Sequence, residues 1–132
     1  MSYKVVKSWV TEAGLNACVL LVNDGSHHCG YVEVPAAIEN RRFDGCGDDD
    51  IYIAAHGGIT YQGIPDWSNG KTVIGFDCAH AGDRMKCPEK YKGTVMEHSF
   101  LYTDGVWRDE EYCVDECEAI AKQLINLVPK VN

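Results

Sequence analysis

The chain lacks any apolar run approaching the ~20 residues that span a bilayer, so no membrane helix is expected. Its seven cysteines include no Cys-x-x-Cys pair, and the usual spacing of a structural zinc site is therefore missing. There is no G-x-S-x-G elbow, Walker A loop, G-x-G-x-x-G turn or H-E-x-x-H helix, which removes the common signatures of serine hydrolases, nucleotide-binding folds and zincins. Positive charge is scarce: 12 Lys and Arg stand against 20 Asp and Glu, a net charge of −8. That balance argues against long nucleic acids and anionic membrane surfaces, which demand a basic face. A small anionic ligand remains compatible, because basic residues cluster locally at Arg41, Arg42, Arg84, Lys86, Lys90 and Lys92. The opening MSYKVVKSWV has neither the apolar core nor the small-residue cleavage pattern of a signal peptide, so a cytoplasmic setting is expected.

With 132 residues the chain suits one domain with a real core. Tyr3–Val10 and Ala17–Asn23 read as strands around a turn at Gly14, and His27–Pro35 reads as a third, after Asn23-Asp24-Gly25. Residues 36–42 suggest a helical turn, and FDGCGDDD (43–50) a solvated acidic loop without the spacing of a calcium site. Two β-prone runs, IYIAAHGGITYQG (51–63) and KTVIGFDCAHAGD (71–83), flank the turn-rich loop IPDWSNG and predict a central hairpin. Centred near Trp67, it places Gly57 opposite Asp77 and Gly58 opposite Phe76, with His56 close to Asp77. RMKCPEKYKG (84–93) reads as a basic loop and Thr94–Leu101 as a strand. From about Asp109 to Val128, Val114, Cys117, Ile120, Ala121, Leu124, Leu127 and Val128 recur at helical spacing, with acidic residues in the first turn and Pro129 beyond the end. The fold class expected is α+β: one antiparallel sheet, meander plus hairpin, against a long C-terminal helix.

Chemistry concentrates in the central hairpin. Glycines inside a β-prone run, as at Gly57 and Gly58, suit a bulge, a sharp twist or close approach to a ligand. His80, with Asp77 and Asp83 each three residues away, could be an oriented general base. Together with His56 it could instead form a His/His/Asp metal site for zinc or manganese, or the carboxylates could simply tie down a loop. His27 and His28 read as surface imidazoles after a turn, and most cysteines, including Cys18, Cys78, Cys113 and Cys117, as packed thiols. Trp67 and Trp107 occupy loop-like surroundings, and an aromatic beside a basic residue is a usual platform for a purine.

HGGITYQG (56–63), IGFDCAHAGD (74–83) and YCVDECEAIAKQL (112–124) resemble a family of small, uncharacterised bacteriophage and prophage proteins, and Cys29-Gly30-Tyr31-Val32 shares the likeness. The resemblance implies a phage protein acting in host cytoplasm, where a function against host defence is expected. Three readings follow. The first is a sponge sequestering a nucleotide-derived immune signal at His56, Gly57, Gly58, Tyr61, Asp77 and His80, with Arg84 countering phosphate and no cofactor. The second is a hydrolase or phosphodiesterase using His56, Asp77, His80 and Asp83. The third is an inhibitor binding a host protein through the apolar hairpin face. A homodimer is expected in each.

Overall fold

A computed structural model describes residues 2–43 and 47–130. Asp44, Gly45 and Cys46, within the expected acidic loop, lie outside the described residues. The fold is α+β, as expected: five antiparallel strands and one long C-terminal helix. Strands β1 (Tyr3–Val10), β2 (Asn16–Val22) and β3 (His27–Glu33) form the meander. Asn23 and Asp24 both adopt left-handed backbone between β2 and β3, which short polar side chains tolerate. After them come β4 (Tyr61–Gly63) and β5 (Val73–Asp77), and the spatial order is β1-β2-β3-β5-β4.

Alternation along the central strands builds two apolar faces. Ala17, Val19, Val32, Ile74 and Phe76 point one way, against Cys113, Cys117, Ile120, Ala121 and Leu124 of the long helix α2 (Glu110–Leu127). Cys18, Leu20, Val22 and Cys29 point the other way, beneath Tyr31 and Trp67. The helix starts where Asp109 caps it, its carboxylate accepting the Tyr112 N–H at 2.8 Å. It crosses the sheet closely at Gly30, where a Cβ would lie 2.5 Å from the Phe76 ring and 2.8 Å from Cys117 Sγ. The thiols at Cys18, Cys29, Cys78, Cys113 and Cys117 are buried, as packed thiols should be.

The central hairpin departs from its expected form. Only Tyr61–Gly63 pairs with β5, and Tyr61 lies opposite Gly75, a shift of two residues that keeps each side chain on its face. Gly57 and Gly58 have φ of 69° and 84°, which no strand accommodates, and the chain turns there with Gly58 N–H donating to Ala55 O. The expected strand before this turn is not part of the sheet and has a different partner. Ile51, Ile53 and Ala55 face the core, while Gln123 of α2 donates to Ala54 O and accepts from Ala54 N–H, at 2.9 and 2.8 Å. A side-chain amide from the helix thus takes the place of a neighbouring strand.

Thr94–Leu101 is not a strand. It forms a 3₁₀ turn at Val95–His98 and runs into the one-turn helix α1 (Phe100–Thr103), capped by Ser99 Oγ. Val95 is 88 % exposed, so its β-branched side chain gains nothing from packing here.

Candidate acid–base site

The site gathers around Asp83. Beyond β5 the chain makes a tight turn in which Asp83 N–H donates to His80 O and His80 N–H returns a bond to Asp83 Oδ2. Residues 105–106 dock alongside: Val106 N–H donates to Gly82 O and Arg84 N–H to Val106 O, both at 2.9 Å. This brings Arg108 over the carboxylate, where its Nε donates to Asp83 Oδ1 at 3.1 Å. From the glycine turn, His56 Nε2 reaches both Asp83 oxygens at 2.9 and 2.8 Å. The Asp83 side chain is only 1 % exposed.

Burial raises the Asp83 pKa, but hydrogen bonds from His56, the His80 N–H and Arg108 more than offset it and hold the carboxyl below its ordinary range. An ionised carboxylate only accepts, so the proton between His56 and Asp83 sits on Nε2. In neutral His56 that leaves Nδ1 to accept from the Tyr112 hydroxyl, 2.8 Å away. The result is a chain of hydrogen bonds from Tyr112 through His56 to Asp83. Arg108 stands over the Tyr112 ring, 4.9 Å from its centre.

His80 packs edge-on to His56 with ring centres 6.0 Å apart. Its Nδ1 faces Asp77 O at 3.0 Å and Asp77 Oδ1 at 3.4 Å; both only accept, so Nδ1 carries the proton and Nε2 holds the free pair. The His80 side chain is 32 % exposed. Asp77 is steadied by Thr60 Oγ1 and the Ala79 N–H. A Cβ on Gly57 would lie 2.4 Å from the His80 ring, so the glycine and histidine motifs touch directly.

Several expected site residues take other places. His56 meets Asp83 rather than Asp77, because the glycine turn draws it out of the ladder. Gly58 completes that turn and faces open space. Tyr61 packs against Tyr31, 5.7 Å between centres, within an aromatic group that includes Trp67. Arg84 is exposed and joins the site through its backbone N–H; the positive charge at Asp83 comes from Arg108. His27 and His28 are buried, not on the surface. Burial lowers the His27 pKa. His28 Nδ1 donates to Arg108 O at 2.9 Å, and its ring stands edge-on to Trp107, so it anchors the segment that carries Arg108.

Donor atoms of His56, His80 and Asp83 lie within 4.8 Å of one another, close enough to consider a cation. The donor chemistry fits one poorly. Asp83 already accepts from His56, His80 and Arg108, and the guanidinium brings a positive charge against the carboxylate. A zinc or manganese ion would displace these bonds and face that charge.

Sequence reasoning missed Arg108, Tyr112 and Thr60. Asp83 and Arg108 are 25 residues apart, and His56 and Tyr112 are 56 apart, so no local pattern links them. No helix among the described residues is long and apolar enough to cross a membrane. No family model, curated protein or solved structure matches this chain.

Proposed function

We propose that this chain is a phage-type enzyme that hydrolyses a small anionic, nucleotide-like molecule by general acid–base chemistry. The supporting observation is His80: Nδ1 is held by Asp77, Nε2 has no partner among the described residues on a partly exposed ring, and the Asp83–His56 pair stands beside it. Such an imidazole can take a proton from water, a contribution of about 10²–10⁴ in rate. Arg108, 28 % exposed, is suited to the charge of a phosphate. The test is incubation with a panel of linear and cyclic nucleotides, with products separated by chromatography. Turnover that falls by about 100-fold or more in His80→Gln is expected. Unchanged nucleotides throughout, or equal rates in the variant, overturn the reading; so does stoichiometric zinc or manganese in the active protein, as regards a metal-free mechanism.

Sequestration without turnover has its own support on the opposite face. Tyr31, Trp67, Ser68, Asn69 and Lys71 line a groove of about 330 Å³, within the range that takes a small molecule. Aromatic rings beside a lysine suit a nucleobase with its phosphate. Calorimetry with the same nucleotides decides this reading: binding that Trp67→Ala abolishes, with the ligand recovered intact after denaturation, favours the sponge. The expected homodimer is tested by light scattering.

A further inference from the structure

We infer that Tyr112 is a nucleophile of this site, activated by the Asp83–His56 pair toward an electrophilic phosphorus. The inference rests on the hydrolytic reading of the same cluster and assigns its covalent step. Three features single out Tyr112. Its hydroxyl lies 2.8 Å from His56 Nδ1, the one ring nitrogen with a pair to accept a proton. The opposite nitrogen is fixed by a carboxylate that is almost wholly buried, so the ring is held in the right orientation and tautomer. Burial and the nearby Glu116 carboxylate raise the Tyr112 pKa and the Arg108 guanidinium over the ring only partly counters them, so the phenol depends on His56 to take its proton during attack. Tyr112 is also rigidly mounted, in the first turn of α2 with its N–H on the Asp109 cap, and half-buried rather than sealed.

The chemistry balances in two steps. Tyr112 Oη forms a bond to phosphorus and the phenol proton passes to His56 Nδ1. The bond to the leaving oxygen breaks with its electron pair, and that oxygen takes a proton from solvent. Water then attacks phosphorus while His80 Nε2 takes its proton and releases it to solvent. The phenolate departs with the P–O pair and recovers its proton from His56. A phosphate ester and water become an alcohol and a phosphate.

An arylsulfonyl fluoride probes the first half without knowledge of the natural substrate. Tyr112 Oη would bond to sulfur, fluoride would leave with the S–F pair, and His56 would take the proton. Peptide mapping by mass spectrometry should find the label on Tyr112 ahead of the more exposed Tyr52 and Tyr61. The label should vanish from this position in Tyr112→Phe, and its rate should fall by about 100-fold in folded His56→Gln. Should His56→Gln fail to fold, Asp83→Asn provides the second variant, with the same loss expected. Labelling that follows exposure alone, or that is unchanged without His56 or Asp83, overturns the inference. Nucleotide turnover dependent on His80 but untouched in Tyr112→Phe would remove the covalent step while leaving the hydrolytic reading in place.

Discussion

Two regions of this molecule are held together by different physics. Strands β1–β3 and helix α2 are joined by apolar burial: Val19, Val32, Ile120 and Leu124 are fully enclosed, each worth about 1.5–3 kcal/mol. The segments that carry His56, His80 and Arg108, beyond the core residues Ile53 and Cys78, instead converge on one carboxylate, to which these three residues donate hydrogen bonds. Apolar contacts are non-directional and carry no charge of their own. A charge sealed among its partners acts through directed hydrogen bonds, and it places a reactive group far more closely.

The sharpest way to break the contrast is to remove the hub. Asp83→Ala leaves Arg108 and His56 without their shared acceptor and should lower the urea midpoint more than any other change at the site. Hydrogen exchange should then show the 56–60 and 79–109 segments opening while β2 and β3 stay protected. Leu124→Ala should cost about 2–5 kcal/mol, but by lowering protection across the sheet and helix together. Equal loss of protection everywhere in both variants would mean the two regions are one cooperative unit.

Acid should separate them more gently. His27 is buried with its pKa below the ordinary 6.5, so its contribution is whole above pH 6.5 and is lost as pH falls toward the lowered value. The Asp83 pKa lies below the ordinary 3.8, so its contribution is whole above 3.8 and is lost below that. Melting temperature should therefore decline in two stages, the upper one absent in His27→Gln and the lower one absent in Asp83→Asn. A single stage unchanged by either variant would contradict both assignments. The smallest effect expected is from the cap: Asp109→Ala should cost about 1 kcal/mol by thermal or urea unfolding and loosen Tyr112.

The same division decides what could be read from the chain before its structure. The apolar, β-prone runs within Asn16–Val22 and Val73–Asp77, and the 3.6 period of Cys117, Ile120, Ala121 and Leu124, report burial through local composition and spacing, and the α+β fold was legible from them. The 51–55 run alternates between covered and exposed positions yet pairs with Gln123, because alternation reports which side is buried and not what supplies the hydrogen bonds. His56, His80 and Asp83 were readable as a group since each lies beside a glycine turn or a strand end. Arg108 and Tyr112 were not, since they arrive only when residues 105–106 dock beside Gly82 and when α2 folds back over the sheet.

That docking has a corollary. Gly82 and Val106 are stapled backbone to backbone, so residues 85–104 form an excursion that leaves and returns at one point. Lengthening such an excursion is cheap, since each doubling of a loop adds only about 0.6 kcal/mol of closure entropy. This stretch can therefore take a different surface, or a whole inserted segment, while the guanidinium of Arg108 keeps its place over the carboxylate.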